Sequence, residues 1–297
     1  MIIKRQHADI NINRLLLICS MSLSIAALNS GSNGNCYYVG NNNEAVLIDA
    51  GISCRETEKR MKRLGLSLNH VKAIFISHEH DDHIGGVEFL SNKYNLPVYL
   101  TETMLQNCRL AIRRDLLRYY TSHQRTIINN LTVKAFPKMH DACDPHSFIV
   151  QHDDICIGIF TDIGKACEQV VYHFKQCDAA FLEANYDDGM LASGDYPYVL
   201  KRRISGDNGH LSNAAALELF CRHRSKKLTH LILSHLSKNN NSPELVEKTF
   251  AAYAGETKII IAGRYHETEL YHINQSTTSP KENMYYNQNT VQLNLFD

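Results

Sequence analysis

Between Ser77 and Gly86 the chain reads SHEHDDHIGG, and this stretch packs His78, His80 and His83 around Glu79, Asp81 and Asp82. Imidazoles and carboxylates in such density are costly to bury without partners. A cation held among them removes that cost. The preceding run VKAIFIS reads as a buried strand that delivers the cluster at its carboxyl end. On an extended backbone alternate side chains share a side, so His78 and His80 can grip one ion together, with Asp82 on the same parity. The turn that follows can swing His83 in. A helical zinc motif would need H-E-x-x-H, which the sequence lacks. A solvated acidic turn would explain the aspartates but not three histidines at these positions.

Further ligands must come from elsewhere, and three positions each follow an apolar run and precede a turn. They are His140 in FPKMHDACDP, Asp162 in IGIFTDIG and His235 in LILSHLSKNNN. Any one alone would read as a hydrogen-bonded loop residue; together they supply two sites. Imidazole and carboxylate donors suit zinc, manganese or iron. We expect two divalent ions per chain, zinc or manganese.

The elements that must position these residues alternate along the chain. Apolar runs such as CYYVG, AVLIDAG, AIFISH, PVYL, LTVKAF, SFIVQ, ICIGIFTD, AAFLEAN, LTHLILSH and KIIIAG read as strands. SCRETEKRMKRLG, GGVEFLSNKY, TETMLQNCRLAIRRDLL, KACEQVVYHFKQC, LSNAAALELFCRHR and SPELVEKTFAAYA read as helices. Ser212 or Asn213 is a candidate N-cap, Ser242 and Pro243 a cap and first-turn proline, and Gly65 a stop. The pattern predicts two sheets packed face to face with helices outside.

In order along the chain, an Asp ending an early strand (Asp49), H-x-H-x-D-H, then a His, an Asp and a final His resemble the metallo-β-lactamase superfamily over roughly residues 22 to 266. The resemblance implies an α/β fold, an αββα four-layer sandwich with its site at one edge. It implies that His78, His80 and His140 hold one metal, that Asp82, His83 and His235 hold the other, and that Asp162 bridges them. Asp49 would orient the ligands. Glu183 in FLEANYD and His210 in SGDNGHLSN resemble the Glu and His of the superfamily's phosphodiesterase branch, where the Glu holds the His and the His protonates the leaving oxygen. LNSGSNGNCYYV together with HLSKNNN most resembles the YycJ-type subgroup, assigned as 5′-to-3′ exonucleases of double-strand DNA. His146 in DPHSF stands where a small residue is expected, a departure that would narrow the site or add a polar wall to it.

The implied activity is metal-dependent phosphodiester cleavage with Asp82, Glu183 and His210 in catalytic roles, in DNA repair or replication. Two cations would lower the pKa of a water and screen the phosphodiester. Lys201, Arg202, Arg203, Asn185 and Ser212 are candidate substrate contacts, the last through free N–H groups at a helix start. Arg109, Arg113 and Arg114 or Arg118 at helical spacing are a weaker basic face. A small-molecule hydrolase of the same fold, acting on a thioester, lactam or lactone, is the alternative, as is an RNA-processing nuclease. A metal-binding regulatory module without turnover is a third reading, opposed by the full ligand set.

The 297 residues carry a formal net charge of +0, so any nucleic-acid surface must be local. Nine cysteines, odd in number and without a C-x-x-C pair, fit reduced thiols in a cytoplasm. Lys4, Arg5 and Arg14 before LLLICSMSLSIAAL imitate a signal peptide; we prefer Met21 as the true start, with 1–20 an N-terminal extension and 21–273 the catalytic domain. No run is long and apolar enough to span a membrane. Residues 274–297 read as a polar, disordered tail ending in QLNLFD. Gln292, Leu293, Leu295 and Phe296 resemble the peptide by which bacterial replication and repair proteins dock on the DNA sliding clamp.

Overall fold

A computed structural model describes residues 22–274. The extension at 1–20, the start at Met21 and the clamp-like peptide at 292–296 lie outside them. Two seven-stranded sheets face each other. In the first, β1 (Ser22–Asn29), β2 (Cys36–Gly40), β3 (Ala45–Ile48), β4 (Val71–Phe75), β5 (Val98–Leu100) and β6 (Leu117–Tyr119) lie side by side in chain order. The second runs in the same way through β7 (Arg125–Ile128), β8 (Leu131–Pro137), β9 (His146–His152), β10 (Ile155–Phe160), β11 (Ala179–Glu183), β12 (His230–Ser234) and β13 (Lys258–Ile261). A last strand, β14 (Tyr271–Asn274), returns to pair antiparallel with β1 and closes the first sheet's edge.

Continuous apolar runs, rather than alternating ones, are what a strand covered on both faces requires. β11 shows the division residue by residue. Ala179 and Phe181 enter the core between the sheets, while Ala180 and Leu182 enter a second core under the outer helices. That outer layer on the second sheet is α5 (Glu168–Phe174), α8 (Asn213–His223) and α9 (Pro243–Ala251), which supply Phe174, Phe220 and Phe250. On the first sheet α1 (Cys54–Arg63), α3 (Val87–Tyr94) and α4 (Glu102–Asn107) bring Met61, Leu90 and Met104. The four layers follow, as the sequence predicted.

The caps also fall where expected. Ser212 and Ser242 accept N–H bonds from Ala215 and Leu245, and Gly65 has φ +71°. The helix predicted over TETMLQNCRLAIRRDLL stops at Asn107. Beyond it, Leu110 and Ile112 pack against the core without helical turns, and the Leu116 carbonyl accepts from Val98 N–H at the edge of β5. Tertiary pairing overrides propensity there, and it removes the helical face assigned to Arg109, Arg113, Arg114 and Arg118. Arg113 instead pairs with Asp115.

β3 and β4 run parallel, as do β10, β11 and β12, so their carboxyl ends collect at one edge of the sandwich. Asp49, Asp162 and His235 each follow such a strand with positive φ (60°, 52° and 57°). Non-glycine residues rarely turn this way, and such strain gathers at functional sites. Here it bends each chain sharply and keeps its side chain at the seam between the sheets.

Candidate metal centre and active site

The SHEHDDHIGG segment leaves β4 and turns into α2 (Asp81–Ile84). The close fit at this turn needs Gly51, because a Cβ there would lie 1.7 Å from the Asp82 carbonyl oxygen. His78, His80 and His140 bring ring nitrogens within 4.8 Å of one another, and a carboxylate oxygen of Asp82 does the same with ring nitrogens of His83 and His235 as a second group. Asp162 belongs with both sides: its carboxylate lies 3.3 Å from His83 Nε2 and 3.9 Å from His140 Nε2.

His78, His83, His140 and His235 are each aimed by a partner on the Nδ1 side. Asp49, fully buried, accepts from Ser77 N–H at 2.7 Å and lies 2.7 Å from His83 Nδ1, which turns His83 Nε2 inward. His140 Nδ1 donates to the Gly209 carbonyl at 3.0 Å. His235 Nδ1 lies 3.1 Å from Glu183 Oε1. Two of the nitrogens left facing inward have nothing to bind. His140 Nε2 and His235 Nε2 are buried without a hydrogen-bond partner. An unmatched buried polar atom costs about 1–3 kcal/mol, and a cation between converging nitrogens and carboxylates is the natural remedy. All donors are nitrogen or oxygen, so the set fits divalent metal ions.

Electrostatics divide the centre. Burial pushes His78 well below the ordinary imidazole range, with the charge on His83 adding to it, and takes His140 down to about 4. Burial opposes charge on His83 and His235 as well. Asp162, Asp49 and Asp82 nevertheless carry His83 well above the usual range, and Asp162, Asp82 and Glu183 carry His235 up to about 10. Asp82, despite burial, is held down to about 2 by His83 and His235.

Beside this centre Glu183, fully buried, lies 2.7 Å from His210 Nδ1 and accepts the Ile163 N–H at 2.7 Å. His210 is only partly covered, its side chain 23% exposed, and Nδ1 lies 3.8 Å from Asp162.

The match to known proteins agrees with this geometry. Residues 30–103 match the family model of the metallo-beta-lactamase superfamily. An exodeoxyribonuclease YycJ of Bacillus anthracis is 34% identical over 228 residues, covering 76% of this chain and 86% of that protein. The chain belongs to the metallo-beta-lactamase superfamily, in its YycJ-type group. An exodeoxyribonuclease WalJ of Streptococcus pneumoniae serotype 2 is 29% identical over 258 residues, 85% of this chain and 95% of that one. The crystal structure of the metallo-beta-lactamase fold protein YhfI from Bacillus subtilis shares the fold, with a TM-score of 0.65 at 13% identity over 84% of this chain and 99% of that one.

The metallo-beta-lactamase centre thus assembles every histidine and aspartate that the sequence singled out for it, and Glu183 and His210 beside it. Glu79 leaves the cluster and binds Cys143 N–H at 2.9 Å, tying down the loop that carries His140. Other expectations meet a different outcome. Asn185 donates to the His235 carbonyl at 2.8 Å and is buried, so it holds a ligand's backbone. Ser212 is occupied as the cap of α8, and Asn213 N–H is taken by the Tyr186 carbonyl. The three cations of α7 (Tyr198–Ile204) part ways: Arg203 pairs with Asp141 at 2.6 Å, Lys201 donates to the Ala192 carbonyl, and Arg202 is exposed. Lys201 and Arg202, with Tyr186 and Tyr198, line a cavity of about 460 Å³. His146 spends its ring on Ser122 Oγ (2.6 Å) and the Asp144 carbonyl (2.8 Å), so it offers the site no free polar group.

Sequence reading missed a relay behind the metals. His235 N–H donates to Ser30 Oγ (2.7 Å), Ser30 meets Tyr37 OH (2.9 Å), Tyr37 donates to Asn35 Oδ1 (3.1 Å), and Asn35 Nδ2 reaches Asp82 (3.1 Å). The signal was the polar turn NSGSNGNC opening the fold. Lys138 was also missed. It is buried and donates to the Thr161 carbonyl at 2.8 Å, its ammonium near Asp162, while burial lowers its pKa.

Proposed function

We propose that this chain is a binuclear metal-dependent nuclease that removes nucleotides from duplex DNA in the 5′-to-3′ direction, in repair or replication. The observation that carries the reading is the Glu183–His210 pair at 2.7 Å beside the histidine–aspartate cluster. His78, His80 and His140 would hold one ion, Asp82, His83 and His235 the other, with Asp162 shared; zinc and manganese both suit these donors. Bound there, the ions supply Lewis-acid screening of the phosphodiester and an acidified water.

The chain's own groups do the rest. Glu183 takes the Nδ1 proton of His210 as a hydrogen bond, leaving Nε2–H to pass its proton to the departing oxygen. Partial exposure lets His210 recover that proton from solvent. Asp49, Gly209 and Asn185 keep the ligands from turning. Arg202, Lys201 and Tyr198 line the flanking cavity and offer charge and an aromatic ring to a strand. The YycJ and WalJ relatives bear the name exodeoxyribonuclease, which supports DNA as substrate.

End-labelled duplex DNA, duplex RNA and single strands, digested with zinc or manganese while metal content is measured, test the reading. Duplex DNA shortening from its 5′ end is expected; thioester or lactam hydrolysis without nucleic-acid cleavage sinks it. His210→Ala should keep its metals and slow cleavage roughly 10²–10⁴-fold, much less on a substrate with a very good leaving group. Equal losses on both would mean that His210 binds rather than protonates.

We further propose that Gln292, Leu293, Leu295 and Phe296 dock on the DNA sliding clamp, a tether that raises local concentration without altering the active site. A labelled peptide of residues 292–297 should bind the clamp. No binding at high micromolar concentration ends this idea.

A further inference from the structure

Two stretches that mark the YycJ-type resemblance, NSGSNGNC and HLSKNNN, supply among their residues one metal ligand, His235. Ser30 of the first and Leu236, Ser237, Lys238 and Asn241 of the second meet the turn after β13 around a cavity of about 290 Å³. We propose that this cavity binds the terminal nucleotide of the strand being cut, its base stacked on Tyr265 and its phosphate held by Lys238 and Arg264; the proposal rests on the nuclease reading.

The cavity shares structure with the metal centre, since Ser30 lines it and also accepts the His235 N–H at 2.7 Å. Leu236, the residue after His235, also lines it, so the cavity opens on the segment that carries that ligand. The walls are largely carbon, from Leu236, Pro243 and Ala262, and none of the lining residues is acidic. Tyr265 is 61% exposed, a large ring left in water. Arg264 donates to the Leu236 carbonyl at 3.0 Å, which uses one of its five N–H groups. Gly31, with φ +133°, makes room for it, because a Cβ there would stand 3.1 Å from the guanidinium.

The loop is held firmly. Asn33 donates to the Arg264 carbonyl at 2.8 Å, and the buried Arg60 donates to the Tyr265 carbonyl at 3.1 Å. A held guanidinium and an exposed ammonium beside an aromatic ring and an apolar wall can recognise a phosphate joined to a flat base. The volume, at the lower end of small-molecule sites near ~300 Å³, favours one nucleotide over a longer segment.

The test measures anisotropy of a labelled, 5′-phosphorylated duplex with phosphorothioate linkages that resist cleavage, on the metal-loaded full chain. Tyr265→Ala combined with Lys238→Ala should raise Kd about tenfold or more and lower the slope of log K against log salt by about one. Tyr265→Phe and Lys238→Arg should restore binding, which a merely structural role would not explain. Unchanged binding by the double variant overturns the proposal. Metal-loaded wild type that cleaves no nucleic acid overturns the nuclease reading instead. In that case a titration with thymidine 5′-monophosphate decides the cavity: retention by wild type and loss by the double variant support it, and equal behaviour overturns it.

Discussion

Around Asp162, His78 groups with His140 and His83 with His235. All four are buried, yet the first pair is pushed towards the neutral form and the second towards the charged one. Their partners explain the contrast. Ser77 Oγ beside His78 and the Gly209 carbonyl beside His140 are neutral groups that orient a ring without charging it. Asp49 beside His83 and Glu183 beside His235 are carboxylates, which orient the ring and add to the charge that Asp162 above all, and Asp82, induce on it. The first half therefore presents lone pairs ready for an ion, whereas the second must give up protons as the ion arrives.

The most drastic way to break this contrast is Asp162→Ala, which removes the carboxylate that lies near both His83 and His140 and is proposed to serve both ions. Metal content should fall on both sides and cleavage should be lost altogether. Full occupancy in this variant would refute the bridging assignment.

A narrower break is Asp49→Asn. It should weaken the His83 half by roughly 10–100-fold in metal affinity, the usual effect of losing a group that orients a ligand, and leave the His78 half nearly intact. Competition with a chromogenic chelator reads the two affinities, and equal weakening of both would deny the division.

The gentlest probe is pH. His235 titrates near 10 in the metal-free fold against an imidazole's ordinary ~6.5. Its raised pKa stabilises the metal-free chain below about 6.5, and that contribution fades as pH rises through about 10. Metal must displace this proton, so affinity in the second half should climb with pH while the first half, with His140 near 4, changes little above pH 6. Lowering pH from 8 to 6 should take metal content from two towards one. The rise in Tm on adding metal should grow with pH. Simultaneous loss of both ions would place the protons elsewhere.

The ligands were legible because parallel strands buried on both faces read as unbroken apolar runs, and a polar residue at the end of such a run has few structural reasons to be there. Asp49, His78, Asp162, Glu183 and His235 all announce themselves in this way. The short β6, β7 and β14 escaped notice because three or four residues carry too little pattern. The fate of α7 escaped for another reason. Lys201, Arg202 and Arg203 look alike in sequence, but which cation meets Asp141, which meets a carbonyl and which stays in water depends on loops distant along the chain.

By itself, then, the sequence determined the residue types that bind a metal, their order, and the strands that end on them, since burial and backbone periodicity are local properties. Only the tertiary structure decided which nitrogen of each ring faces inward and which half of the centre is charged. It also decided that Ser30, Tyr37 and Asn35 link His235 to Asp82. Those outcomes depend on distances between groups up to 205 residues apart, which arise when two sheets close on one another.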